Sequence, residues 1–339
     1  MTRYAKIADL AGYLPPKVLD NDELAALYPG WSADKIFEKT GIRTRRVAGE
    51  DETAGDLAFA AARALFARGT IAPEDVDFVI LCTQAPDYIL PTTACVLQDR
   101  LGISTSAGAL DVNLGCSGFV YCLSLAKGLI ESGSAKCVLV LTADTYSKYI
   151  HPLDKSVRTL FGDAAAATAV VACDAEQPQI GPFVFGTDGS GANNLIVEAG
   201  GARTPRSAET AVERADDSGN VRSRDNLYMA GAKIMAFSLS EVPRAAAALM
   251  EKSHTSTEAI NYFVLHQANR FMLEALRKKL KVSEAQFPIH VEECGNTVSS
   301  TIPLTLAAMR DNGCFDTEKK LMLIGFGVGY SWAACLLNF

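Results

Sequence analysis

The chemistry in this chain concentrates at Asp111-Val112-Asn113-Leu114-Gly115-Cys116-Ser117-Gly118-Phe119, where an apolar run ends in a tight turn carrying a cysteine. A helical pattern follows through Val120, Leu123, Ala126, Leu129 and Ile130. A thiol at the mouth of that helix meets unpaired N–H groups and a partial positive charge, which favour thiolate over thiol. Gly115 and Gly118 let the backbone turn tightly and let a substrate approach. Cys116 therefore reads as a nucleophile, against the alternative of a buried core cysteine.

Two further residues join it through an internal duplication. Asp75–Gln84 matches Glu258–Gln267 in pattern, and Lys136–Val140 matches Lys320–Ile324. Leu114-Gly115-Cys116-Ser117 matches Cys294-Gly295-Asn296-Thr297, each followed by a helix. The offset stays near 180 residues, as two copies of one βαβ-rich unit require. A pseudo-two-fold relation would set equivalent turns side by side, where ligands of α/β sheets bind. Cys116, His266 and Asn296 are then expected in one pocket, although 150 and 30 residues separate them in sequence. His151, His254 and His290 match no such feature and read as structural or surface residues.

The elements that must position these residues follow from the pattern. Ser32 starts a helix over 33–39 that stops at Gly41, and Thr53 starts another that ends at Gly69. Residues 76–82 form a buried strand, and helix, loop and strand in this order predict a mainly parallel sheet. Residues 92–101 are helical, residues 136–141 are a strand, and the small residues 164–172 predict a strand pair. Arg43-Thr44-Arg45-Arg46 reads either as a solvated basic loop or as a contact for an anionic carrier or cofactor. Residues 199–226, rich in Gly, Arg, Ser, Asp and Glu, predict a mobile surface excursion. Helical periodicity resumes at Tyr228 and passes Pro243 to Met250. Residues 1–175 and 176–339 read as the two halves.

With 339 residues, the chain exceeds the usual single-domain size. A net charge of -7 argues against nucleic acid as the main partner. The nine cysteines show no Cys-x-x-Cys pair or Cys/His cluster, so neither zinc nor any other metal is expected. Their odd number and scatter, with no apolar signal core or membrane-length run, point to a cytoplasmic protein.

At these residues the chain resembles the thiolase superfamily, and within it the β-ketoacyl-acyl carrier protein (ACP) synthase III family. The resemblance rests on Gly115-Cys116-Ser117-Gly118, His266-Gln267-Ala268-Asn269, Gly295-Asn296-Thr297 and Gly325-Phe326-Gly327-Val328-Gly329-Tyr330-Ser331-Trp332. Thr40-Gly41-Ile42-Arg43 and Phe161-Gly162-Asp163 add to it, and it spans essentially the whole chain. It implies a duplicated, five-layered α-β-α-β-α fold and a homodimer. It further implies that Cys116 is acylated by a thioester, and that His266 and Asn296 hold the malonyl thioester whose decarboxylation yields the attacking carbanion. The backbone N–H groups of Cys116 and Val328 would form the oxyanion hole. No cofactor is implied beyond CoA or ACP thioesters as substrates.

Several positions depart from the family pattern. Lys35 stands where a Trp stacks on CoA adenine, and Lys155 where an Arg flanks the nucleotide. Arg270 and Phe271 follow the His-Gln-Ala-Asn motif, Ala232 replaces an Asn, and Val328 replaces a Gly. CoA and ACP both remain open as acyl donor. Lys278 and Lys279, within Arg277-Lys278-Lys279-Lys281, read as a docking site for an acidic carrier or as cations at a helix C-terminus. Ile89 and Leu90 are expected to reach the partner subunit's acyl pocket. The main alternative is a Cys116-dependent acyltransferase that passes the acyl group to an alcohol or amine in a specialised pathway. A family member of that kind tends to carry a carboxylate in place of Asn296.

Overall fold

A computed structural model of the chain describes residues 2–315 and 317–338. Its strands segregate by half. β1 (Thr2–Tyr13), β2 (Phe78–Cys82), β3 (Gly108–Val112), β4 (Cys137–Asp144) and β5 (Ala164–Ala175) form one sheet in the order β1-β5-β4-β2-β3. β6 (Ile180–Thr187), β7 (Tyr262–Leu265), β8 (Lys320–Gly327) and β9 (Ser331–Asn338) form the second in the order β7-β8-β9-β6. Read from β1 and from β6, the two orders coincide, and only β3 lacks a counterpart strand among the described residues.

Both sheets are mixed rather than mainly parallel. β3-β2-β4 and β7-β8 pair in parallel, while β4-β5-β1 and β8-β9-β6 pair antiparallel. The reversal after β8 takes only residues 328–330, whereas the one after β4 takes residues 145–163. That longer reversal includes a short helix, Lys155–Arg158, that reaches the site described below. The strand pair predicted over 164–172 is instead one strand. It has no turn residue, and its alanines pair with β1 on one side and β4 on the other.

Five layers result. α1 (Asn21–Leu27) and α2 (Ala33–Thr40) cap one end of the molecule. The outer layer of the first half is α3 (Ala54–Phe66) with α4 (Thr93–Arg100), whose Leu57, Ala61, Leu65 and Leu97 pack on Val79, Leu81, Leu139 and Leu141. The outer layer of the second half is α6 (Gly231–Lys252) with α7 (Arg270–Leu280), packed on Phe263, Leu265, Met322 and Ile324. Between the sheets lie α5 (Gly118–Glu131) and α8 (Thr301–Asp311). Phe119, Leu123 and Ile130 of α5 share one core with Ile302 and Leu306 of α8 and with strand residues of both sheets.

Local chemistry sets the helix ends. The Ser32 hydroxyl accepts from the Lys35 N–H, and Gly41 closes α2 at φ 68°, a left-handed conformation open to glycine. Thr53 and Asp56 form a reciprocal capping box at the start of α3. Residues 199–226 are not a bare mobile loop. Arg222 bridges Asp154 and Asp216 at 2.6 and 2.8 Å, and His151 contacts Glu213 at 3.1 Å, which stitches the excursion to residues 149–154. Among the described residues, no helix is long and apolar enough to cross a membrane.

Candidate active site

The turns after β3 and β7, the ends of β4 and β8 and the Gly295-Asn296 turn converge at the strand C-termini. There Cys116, His266 and Asn296 line one cavity of about 430 Å³. Glycines permit this convergence. A side chain on Gly327 would come within 3.0 Å of the Cys116 Sγ, and one on Gly325 within 2.8 Å of the Cys116 carbonyl. The glycine-rich end of β8 therefore lies flush against the cysteine turn. The Ser117 and Ser331 hydroxyls, 2.7 Å apart, and the Ser331 hydroxyl donating to the Val328 carbonyl at 2.9 Å lock the two turns together.

Cys116 is 5% exposed. Burial pushes its thiol well above the usual range, and the Asp144 carboxylate adds to the shift. Desolvation thus opposes the helix N-terminus, which favours the thiolate, and disfavours the charged form in the resting site. Asp144 is itself buried, which raises it to about 7. It accepts from the Gln84 N–H at 2.9 Å and from the Ser299 hydroxyl at 2.5 Å, so one carboxyl ties the end of β4 to the turn after Asn296.

Burial lowers His266 to about 3, so its imidazole is neutral at neutral pH. Its Nδ1 lies 2.8 Å from the Thr301 hydroxyl, which also donates to the Val298 carbonyl at 3.1 Å. That network assigns the proton to Nδ1 and leaves the Nε2 lone pair facing Asn296, whose Nδ2 is 3.5 Å away. The Asn296 Oδ1 accepts the Val298 N–H at 3.0 Å. With its oxygen occupied, the amide can present only its NH₂ to the cavity. Val298 adopts φ 54°, a left-handed conformation that costs a β-branched residue about 1–3 kcal/mol and clusters at functional sites.

Among the described residues, no protein oxygen accepts from the backbone N–H of Cys116 or of Val328. The Cys116 N–H instead bonds its own thiol, and Val328 lies against Gly115, next to that turn.

The residues named for the donor and carrier distribute differently. Lys155 lines the cavity, and its ammonium donates to the Ser218 carbonyl of the excursion. Lys35 does not line it; its ammonium donates to the Gly30 carbonyl at 2.9 Å and lies 5.4 Å from the Trp31 ring centre. Trp31, Lys39 and Phe271 line the cavity instead. Trp31 lies four residues before Lys35 and just outside α2, so a search at the family's aligned position passes over it. Ile89 and Leu90 are 96% and 80% exposed and lie away from the cavity of their own chain. Lys278 and Lys279 are exposed at the end of α7, and the Lys279 ammonium donates to the Leu239 carbonyl at 2.9 Å. The basic run 43–46 is no solvated loop. It lies largely in a strand, Thr44–Val47, in which Arg45 is fully buried.

A family model described as 3-oxoacyl-[acyl-carrier-protein (ACP)] synthase III matches residues 110–189, and the corresponding C-terminal model matches residues 250–339. A beta-ketoacyl-[acyl-carrier-protein] synthase III of Lactococcus lactis subsp. lactis is 36% identical over 337 residues, 99% of each chain. The chain belongs to the 3-oxoacyl-ACP synthase III family. A crystal structure of a 3-oxoacyl-(acyl-carrier-protein) synthase III superposes with a TM-score of 0.98 at 67% identity, covering 99% of this chain and 100% of that one. A 3-oxoacyl-(acyl-carrier protein) synthase from Burkholderia xenovorans superposes with a TM-score of 0.90 at 36% identity, covering 99% and 95%. The duplicated, five-layered architecture is thus the thiolase-like fold of synthase III enzymes.

Proposed function

We propose that this chain is a cytoplasmic condensing acyltransferase that joins an acyl thioester to malonyl-ACP with loss of CO2. The observation that carries this reading is the shared cavity, which brings together a buried thiol, a neutral imidazole and an amide donor. The reaction runs in two stages. As Cys116 attacks the donor thioester, the His266 Nε2 takes the thiol proton and passes it to the departing thiolate. The malonyl thioester carbonyl then sits against Asn296 and His266. Loss of CO2 leaves an enolate whose oxygen receives the Asn296 NH₂ donor. His266 joins it once its proton has moved from Nδ1 to Nε2 and the Thr301 hydroxyl has turned from the Val298 carbonyl to donate to Nδ1. The carbanion attacks the acyl-Cys116 carbonyl, and its oxyanion takes the Cys116 and Val328 N–H groups. Collapse expels the Cys116 thiolate, which takes up one proton. Apolar cavity walls such as Met229, Ile234 and Met272 exclude water that would otherwise hydrolyse the acyl-enzyme.

Trp31, Lys39 and Lys155 at the same cavity suit the nucleotide or pantetheine phosphate of a thioester donor. The functional unit is taken to be a homodimer, in which the exposed Ile89 and Leu90 of one subunit close the acyl pocket of the other.

The test is intact-protein mass after incubation with acyl-CoA and acyl-ACP donors of two to ten carbons, followed by malonyl-ACP. The wild type gains one acyl mass, Cys116→Ala gains none, and malonyl-ACP discharges the adduct with CO2 release. Asn296→Ala still acylates but discharges about 10²–10³-fold more slowly. Native mass spectrometry of the same sample reads a dimer. An adduct that an alcohol or amine removes while malonyl-ACP leaves it intact would replace condensation with simple acyl transfer.

A further inference from the structure

Arg45 is the largest fully buried side chain in the described structure, and its setting is unusual for a cation. Among the described residues it forms no ion pair with a carboxylate. Its guanidinium instead spends its donors on neutral oxygens. Nε and Nη2 both donate to the Thr159 carbonyl, the former at 3.0 Å, and Nη1 donates to Asn21 Oδ1. Asn21 is fixed in turn by donating to the Ile42 carbonyl at 2.9 Å. A buried charge without an anionic partner destabilises a fold, so hydrophobic packing alone would favour an apolar side chain here.

What Arg45 holds is the segment that grips Asn296. The Asn296 N–H donates to the Leu160 carbonyl at 2.9 Å, and the Gly162 N–H donates to the Asn296 carbonyl at 3.0 Å. Phe161 and Asn296 thus form an isolated parallel bridge between the two halves of the chain. The Arg45 stem closes the bridge from below, because a side chain on Gly295 would come within 3.0 Å of the Arg45 Cγ. Gly295 itself is left-handed at φ 71°. The planar guanidinium fork doubly bonds the residue that precedes the gripping strand.

We propose that Arg45 is a positioning residue for the second half of the reaction: through Thr159 and the Phe161–Asn296 bridge it sets the Asn296 amide for the enolate, while the Cys116 turn does not depend on it. This rests on the condensing reading above. Cys116 is held by β3, β8 and the Ser117–Ser331 pair, none of which touches Arg45, so the two stages should separate.

The experiment compares Arg45→Met and Arg45→Lys with the wild type in three readouts. Acyl-Cys116 formation from the acyl-CoA and acyl-ACP panel is followed by intact mass. Discharge of the pre-acylated enzyme by malonyl-ACP is followed by CO2 release. Hydrogen exchange is followed in peptides covering residues 159–163 and 294–298. Arg45→Met should acylate within about twofold of wild type, discharge about 10²-fold more slowly, and lose exchange protection in both peptides. Arg45→Lys, which keeps a cation but not the fork, should fall between them. If Arg45→Met does not fold, Asn21→Ala removes the Nη1 acceptor and should show the same selective loss to a smaller degree. Acylation and discharge falling together, or discharge unchanged, overturns the proposal. A wild type that forms no acyl-Cys116 sinks the condensing reading instead, and the exchange data then still test the clamp.

Discussion

Asp144 shows how a single buried residue sets the terms for its neighbours. Its carboxyl faces Cys116, Tyr146 and Cys82, and it is hydrogen-bonded by Gln84 and Ser299. Burial raises it from 3.8 to about 7, so the folded chain keeps a proton there that the unfolded chain has already lost. Its stabilising contribution is therefore full below about pH 4 and fades as pH rises through 7. His266, lowered to about 3 by burial, acts in the opposite sense, losing its contribution as pH falls below its unfolded value of 6.5. A difference between variants separates the two. Asn at position 144 mimics the protonated carboxyl, so the melting temperature of Asp144→Asn relative to wild type should improve from pH 4 to about pH 7 and level off above it. A difference that stays constant across that range would show that Asp144 is not the titrating group. Cys116, His266 and Asn296, which the fold brings to one cavity, were legible in the sequence because each follows an apolar strand or turn at repeat-equivalent positions. Thr301 and Arg45 were not. Their partners His266 and Thr159 lie 35 and 114 residues away, and only the fold reveals those pairings.

At the scale of elements, the end of β8 is tightly specified backbone. Gly325 and Gly327 let the strand run against the cysteine turn, and the positions differ in what a methyl group would strike. At Gly325 it meets the Cys116 carbonyl and Ser117 Cα, which are backbone and cannot yield. At Gly327 it meets the Cys116 Cβ and Sγ, at 2.9 and 3.0 Å. Gly327→Ala should therefore fold but slow acylation of Cys116 by about 10²-fold, since a 1 Å displacement of a reacting group costs on that order. Rapid-quench mass measurement would read this, and wild-type acylation rates in a folded Gly327→Ala would contradict it. The motif in which these glycines lie was readable, as were α2 and α3 with their Ser32 and Thr53 caps. The strand β5 was misread as a pair although its run of alanines carries no turn signal, because its length is set by β1 and β4 on either side. The excursion at 199–226 lies at the surface as read, but its ties to Asp154 and His151 outside it, and between Arg222 and Asp216 within it, do not show in its composition.

For the whole molecule, a net charge of -7 coexists with a basic end of α7. Like charge would repel an acidic carrier at long range, so docking must be local and salt-sensitive, with a screening length of about 8–10 Å at ordinary ionic strength. Reversing Lys278 and Lys279 to Glu should raise KM for ACP-linked substrates several-fold at low salt, converge with wild type at high salt and spare CoA-linked substrates. Equal losses for both substrate classes would place the effect in packing, where Lys279 ties α7 to the Leu239 carbonyl. The two-fold repeat was legible from the duplication and the five-layer plan from the family resemblance, whereas the position of each layer's partners was not. The middle layer has a bearing on how the chain is made. α8 is encoded near the end, yet its Ile302, Leu306, Ala307 and Met309 belong to the core in which α5 packs. A ribosome that has released only the first sheet and its helices exposes an apolar face with no mate for more than a hundred further residues. The nascent first half is therefore expected to need a holdase chaperone until α8 emerges, and a chain truncated before α8 should be retained by chaperones or cleared by proteases.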